Sequence, residues 1–400
     1  MAHFSVFGCW NKNVVPCNIY SPQTPMASVL RSVRKEINDF LVILGDNQYP
    51  IKLNALKKYN IPNMLSGFQC LTKIPVTKYI LFGNHDTDNP NSLDTCQIVK
   101  EEISFMKKAN KNGSDFRYPS FDIRNKLIMT RKIGKHLLLM IDSTIYCVQK
   151  KNSAKEENSE KKEKSVQKEK SVQKEKSEKS ENLLEELECY KSIVPELQNI
   201  SDYTELQNKL FEVQRNELQR VLEKHDKKGE IWLCMHHPVI TVKEKKESIQ
   251  DLTYHPELYD ILFYINTFRQ DNTKEFFIFS ADYHLYLEAK IQLTREKETL
   301  NIHQYIIGTG GAELDSYTNP PELLRKGTIK NTTTEYQYNV VQLVDKVGYG
   351  YMNCTVSGDK LHCSFIPIDN NSSKKGSTKR RRKRSSSTKK SYSFLSFSSL

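Results

Sequence analysis

Five short clusters of oxygen, nitrogen and sulfur donors stand at the ends of apolar runs in this chain. They are Phe7-Gly8-Cys9-Trp10, Leu44-Gly45-Asp46-Asn47-Gln48-Tyr49, Phe82-Gly83-Asn84-His85-Asp86, Cys234-Met235-His236-His237-Pro238 and Ser280-Ala281-Asp282-Tyr283-His284. These donor types suit divalent and trivalent cations. Two such cations a few Å apart repel unless a carboxylate bridges them, and Asp46 is the candidate bridge. Tyr49, three residues on, could ligate the same side, provided that the ion is acidic enough to lower a phenol pKa of about 10. Asn84 offers an amide oxygen and His236 an imidazole nitrogen. Asp282 and His284 stand two apart after a strand, and in extended chain such residues share a face. A pair of bound cations lowers the pKa of water and stabilises a pentacoordinate phosphorus, so the donor set predicts phosphoester hydrolysis by a two-metal-activated hydroxide. His85 is then the imidazole that assists the transition state, with Asp86 orienting it. His237, beside His236, is placed to meet the phosphate or the leaving group.

Taken singly, each cluster has a plainer explanation. Asp46 could cap a helix, Tyr49 could pack, and Gly-Asn-His-Asp could be a capped turn. Cys9 in an apolar run behaves as a small hydrophobe. The clusters gain force together, because order, strand context and donor type agree.

The elements that must position these donors are buried strands. Runs such as Phe40-Leu41-Val42-Ile43-Leu44 and Phe276-Phe277-Ile278-Phe279 are four to six residues of aromatic and aliphatic type, which suits strands covered on both faces. Strands are expected at His3–Gly8, Phe40–Gly45, Tyr79–Gly83, His136–Ile141, Ile231–Met235 and Phe276–Ser280. A helix is expected over Ala27–Asp39, and helical character from Leu183 to Lys227, with Val213, Leu218 and Val221 at nearly helical spacing. Gln304–Ile307 leads into the turn Gly308-Thr309-Gly310-Gly311, and Tyr336–Ile368 alternates as antiparallel strands about Ser357-Gly358-Asp359-Lys360. The rhythm of strand and helix predicts an α/β fold with largely parallel central strands. In such sheets, sites form beyond the carboxyl ends of the strands.

Residues 151–182 break the pattern. They are dominated by Lys, Glu and Ser and repeat Ser165–Lys170 as Ser171–Lys176, so a solvated insertion is expected there. Residues 370–400 are rich in Ser, Lys and Arg and are expected to be disordered. Of the net charge of +12, ten units lie in residues 374–390, which leaves the body at about +2 by subtraction. The basic run Lys379–Arg384 could therefore contact nucleic acid, act as a nuclear address or serve only as a solvated, solubilising tail, while the body has no such bias. The domain organisation read from this is a first catalytic part at 1–150, the insertion at 151–182, a second catalytic part at 183–369 and the tail at 370–400.

Nine cysteines, an odd number without a CxxC pair, exclude a zinc ribbon or thioredoxin motif and favour a reduced compartment. No signal-like start or membrane-length apolar run is present, so an intracellular protein, cytoplasmic or nuclear, is expected. Abundant Lys, Asn, Ile and Tyr suggest an AT-rich genome, as in large DNA viruses and some protists; packaging in a virion is an option if the source is such a virus.

On these residues the chain resembles the calcineurin-like metallophosphoesterases and, within them, the purple acid phosphatase branch. Gly45-Asp46-Asn47-Gln48-Tyr49 matches Gly-Asp-x-x-Tyr, and Gly83-Asn84-His85-Asp86 matches Gly-Asn-His-Asp/Glu. Met235-His236-x-Pro238, Tyr283-His284, Ile141-Asp142-Ser143-Thr144 and Gly308–Gly311 are similar to further segments of that branch. The resemblance implies a four-layer α/β/β/α sandwich. It implies that Asp46 bridges the metals, that Tyr49 and His284 bind trivalent iron, and that Asn84 and His236 bind a second ion: iron, zinc or manganese. His85 would assist the phosphoester. Two positions depart. Where the family has an aspartate after the first glycine, this chain has Cys9. Where it has the first histidine of Gly-His-x-His, this chain has Asp282. Two functions follow: a hydrolase of a phosphorylated substrate, or a degenerate scaffold of the same fold that binds through its basic tail.

Overall fold

In this computed structural model two mixed sheets carry the chain, and each contributes parallel strands at its centre. The first has six strands in the order Lys360–Pro367, Gly350–Ser357, Ala2–Phe7, Phe40–Ile43, Thr77–Ile80 and Phe116–Arg117. The last four run parallel, and the first two form an antiparallel hairpin that pairs with Ala2–Phe7. The second has eight, in the order Lys326–Lys330, Glu335–Lys346, Tyr286–Arg295, Glu298–Ile307, Phe276–Ser280, Ile231–Cys234, His136–Ile141 and Ile128–Ile133. Its central four, Glu298–Ile307 to His136–Ile141, are parallel. The structure describes residues 1–12, 15–49, 51–53, 56–58, 61–87, 96–120, 127–147, 187–225, 228–244, 250–271, 273–315, 325–330, 334–346 and 348–368. The insertion at 151–182 and the tail at 370–400, with its basic run, lie outside them.

The apolar runs do form the predicted buried strands. All residues of Phe40–Ile43, His136–Ile141 and Ile231–Cys234 are buried. Each fully buried aliphatic or aromatic side chain stabilises the fold by about 1.5–3 kcal/mol. The turn Gly358-Asp359 joins the last two strands as expected, with Gly358 at φ 60°.

The first helix is shorter than the expected Ala27–Asp39. It runs Pro25–Val33, opened by Thr24, whose hydroxyl accepts from Ala27 N at 3.2 Å. It stops because the chain must return to the sheet: Asn38 Nδ2 donates to the Val33 carbonyl, and Asp39 N donates to His3 O. The helix Tyr203–Glu223 is present, capped by Asp202. Its inward stripe is Leu206, Leu210, Gln214, Leu218 and Leu222, whereas Val213 and Val221 are only partly buried. Two buried glutamines and a buried glutamate displaced the stripe from where apolar spacing alone would put it. Gln214 Nε2 donates to Asp142 O at 3.1 Å, and Glu217 Oε2 accepts from Leu127 N and Ile128 N at 2.8 and 3.2 Å.

The cysteines depart from the expectation of free thiols in a reduced protein. Cys17 pairs with Cys70 and Cys96 with Cys189. Apolar surroundings mark a cysteine as buried but do not reveal a partner 53 or 93 residues away. Among the described residues no helix is long and apolar enough to cross a membrane.

Candidate metal centre

The donor clusters come from both sheets and meet where strand ends converge. Cys9, Asp46 and Asn84 follow strands of the first sheet; His236, Asp282 and His284 follow strands of the second. Three of these positions, Cys9, Asp46 and Asp282, have left-handed backbones with φ of 50°, 52° and 61°. Aspartate tolerates this region and cysteine much less so, and backbones of this kind collect at functional sites. Each turns the chain sharply off its strand and aims the side chain across the sheet ends. Gly45 (φ 91°) precedes Asp46, and a Cβ on Gly83 would sit 2.3 Å from Asp46 Oδ1, so both glycines let the backbone close on the carboxylate.

Asp46 is fully buried and its two oxygens face different partners. Oδ1 lies 3.3 Å from His236 Nε2 and accepts from His85 N at 3.2 Å. Oδ2 accepts from the Tyr49 hydroxyl at 2.7 Å and from the Cys9 thiol at 3.7 Å. On the first side, His236 Nε2 is 3.0 Å from Asn84 Oδ1 and 3.8 Å from Asp282 Oδ1. On the second, the Tyr49 hydroxyl is 2.9 Å from His284 Nε2. Two groups of potential ligands result: Cys9, Asp46 and His284, and His236, His237 and Asp282, each with donor atoms within 4.8 Å of one another. Asp282 and His284 thus lie in different groups, because the left-handed turn at Asp282 removes the shared face that extended chain would have given them.

The tautomers sort these histidines. Nδ1 of His236 donates to Leu44 O at 2.7 Å, and Nδ1 of His284 donates to Glu313 O at 2.6 Å. In each, Nε2 is left to face the centre, where it would offer its lone pair to a bound ion, the arrangement that metal-ligating histidines use. His237 differs. Ser143 Oγ already accepts from His236 N and His237 N, at 3.1 and 2.9 Å, so its own proton goes to His237 Nδ1 at 3.0 Å. His237 therefore carries its hydrogen on Nε2 and is a donor, although distance alone groups it with the ligands.

Electrostatics follow from burial and crowding. Burial opposes ionisation of Asp46, but the His236 and His85 rings outweigh it and hold the carboxyl well below its usual range. Burial also opposes charge on His236, yet Asp46 outweighs it and raises the ring to about 9. A cation would compete with that proton for the same lone pair. Burial pushes Cys9 and Tyr49 well up, with Asp46 adding to both. Burial keeps His237 neutral, its pKa well below the ordinary value.

Asp86 has a different task from the one expected. Its oxygens accept from Asn47 N (2.8 Å), Asn47 Nδ2 (3.0 Å) and Gly83 N (2.8 Å). It ties the Asp46 loop to the Asn84 loop, so it braces two ligand loops and these bonds do not orient His85. His85 is partly exposed, with its ring against Tyr49 at 4.9 Å between centroids. Residues to which sequence reasoning gave no role include Asn47, which accepts from Trp10 Nε1 at 2.9 Å, and Ser143, which fixes His237. Asp142, bonded by the Tyr190 hydroxyl at 2.5 Å, supports the Ser143 turn. His255, edge-on to His237 at 5.3 Å, was also missed. The Asp142-Ser143-Thr144 strand end was visible in sequence; Asn47 and His255 carried no signal of their own.

The donor set fits a pair of cations: a fully buried carboxylate with one oxygen toward each group, two imidazoles anchored through Nδ1 on backbone carbonyls, and amide, phenol, thiol and carboxylate donors around them. No family model matches the chain, and no curated protein matches it. Solved structures similar to it include "Structure of PhoD", 9% identical with a TM-score of 0.44, over 91% of this chain and 68% of that one. Another is the crystal structure of phosphopantetheinyl hydrolase from Mycobacterium tuberculosis, 9% identical with a TM-score of 0.36, over 77% of this chain and 90% of that one.

Proposed function

We propose that this chain is a metal-dependent phosphoester hydrolase. The observation that supports it best is the division of Asp46: Oδ1 toward His236 and the His85 backbone N–H, Oδ2 toward Tyr49 and Cys9. A buried carboxylate shared in this way is what a bridging ligand requires. Asn84, His236 and Asp282 would hold one ion; Cys9, Tyr49 and His284 would hold the other. Iron paired with iron, zinc or manganese is the choice that the motif resemblance implies, as is the four-layer α/β/β/α sandwich. Bound cations would lower the pKa of water and screen the phosphate charge.

The remaining work falls to this chain's own side chains. His85 lies at the partly exposed side of the site, beside Tyr49, where a phosphoester oxygen would enter. His237, neutral and locked by Ser143, would donate a hydrogen bond from its Nε2–H to a phosphate or leaving-group oxygen. Asp86 keeps the two ligand loops in register. Residues 1–150 and 183–369 act as one catalytic body in this reading, and the tail at 374–390 is a separate nucleic-acid contact.

Metal analysis together with hydrolysis of p-nitrophenyl phosphate tests the proposal. Metal-loaded native protein should hydrolyse the ester, and Asn84→Ala should lose about 100-fold or more, on the scale of losing a ligand's support. Cys9 and Asp282 support a second reading, a degenerate scaffold. Under it the native chain would be inert and Cys9→Asp would switch hydrolysis on.

A further inference from the structure

The hairpin that closes the first sheet carries two cysteines face to face. Cys354 lies on Gly350–Ser357 and Cys363 on the sheet-edge strand Lys360–Pro367, and the two are direct register partners. The hairpin closes through Gly358-Asp359, with Gly358 at φ 60°, so Ser357 and Lys360 form the hydrogen-bonded pair next to the turn. Pairs alternate from there: Val356 with Leu361 is non-hydrogen-bonded, Thr355 with His362 is bonded, and Cys354 with Cys363 is non-hydrogen-bonded. At non-hydrogen-bonded pairs the Cα atoms are about 4.5 Å apart and the side chains lean together. That separation lies within the range a disulfide spans. Both cysteines are free, and their sulfurs are 3.1 Å apart. Cys354 is fully buried, while Cys363 is partly exposed on the edge strand.

We propose that Cys354 and Cys363 are a redox-modification site that closes to a cross-strand disulfide on exposure to a low-molecular-weight disulfide. The accessible Cys363 thiolate attacks one sulfur of the small disulfide, breaks its S–S bond and releases one small thiolate. Cys354 then loses its proton, its sulfur attacks the Cys363 sulfur, and the second small thiolate leaves. Two protein thiols and one small disulfide become one protein disulfide and two small thiols, with two electrons passed to the small molecule. The pairing is selective because the hairpin holds the two sulfurs together before any oxidant arrives. Cys234, the other buried free thiol nearby, ends a strand of the second sheet and has no register partner of this kind.

The test is differential alkylation and peptide mass analysis of the full-length protein in buffers of oxidised and reduced glutathione. Trypsin cuts after Lys360, so the two cysteines fall on separate peptides unless they are linked. The expected result is a linked Cys354–Cys363 peptide pair, lighter by two hydrogens, with both thiols lost to alkylation together and restored by dithiothreitol. Cys354→Ser should instead leave Cys363 as a stable mixed disulfide with glutathione. The proposal is overturned if native protein holds Cys363 as that mixed disulfide while Cys354 stays alkylatable, or if either cysteine is found linked to Cys234.

Discussion

At the scale of single residues the site is organised by one carboxylate. Asp46 is buried, ionised and divided between two donor groups, and the left-handed turn after a glycine makes that division possible. Cys9 sits on one side of it, where a soft sulfur replaces the hard oxygen that the motif resemblance leads one to expect. If that thiolate is a ligand, Co²⁺-loaded protein should show sulfur-to-cobalt charge-transfer absorption in the near ultraviolet. Cys9→Ser should remove this band and leave the visible ligand-field bands in place. A spectrum unchanged by Cys9→Ser would show that the thiol stays outside the coordination sphere even if metal binds. A chain that takes up no metal at all would instead undo the proposed centre itself, so the two failures are distinct.

At the scale of elements, polar contacts act beside a leucine stripe to fix how the helix Tyr203–Glu223 lies on the second sheet. Glu217 receives two backbone N–H groups at the start of the Ile128–Ile133 strand, and the buried Gln214 donates to Asp142 O, next to Ser143. Glu217→Ala would leave two buried donors without an acceptor. The expected cost is about 3 kcal/mol, because hydrogen bonds to charged groups contribute most and orphaned buried donors are expensive. Urea unfolding measures this, and Glu217→Gln should recover part of the loss. The same helix shows where sequence periodicity misleads: Val213 and Val221 were spaced as a core face, yet the buried face is one step round the helix.

At the scale of the whole molecule the centre joins two sheets. Cys9, Asp46 and Asn84 belong to one, and His236, Asp282 and His284 to the other, so an ion bound by both sets binds only the folded arrangement. Ligands selective for the native state stabilise it by mass action, about 2.7 kcal/mol at a hundred times the dissociation constant. The thermal midpoint should therefore rise on metal addition, fall with a chelator, and become insensitive to both in Asp46→Ala. A midpoint in the native chain that ignores metal and chelator alike would remove the thermodynamic support for a shared centre.

The order of strands and their donor-bearing ends could be read from the chain because apolar runs bounded by Gly, Asp and His are local signals. Asp46, Tyr49, Asn84, His236 and His284 were picked out for that reason, and the geometry brings them together. What the sequence could not decide was anything that depends on contacts between distant segments. The division of strands between two sheets, the partner of each cysteine, the bracing by Asp86 and the tautomer of His237 all arise from groups tens to hundreds of residues apart. Local composition sets which side chains are available at a strand end; only the packed backbone decides which of their atoms face one another and which hydrogen bond uses up each lone pair.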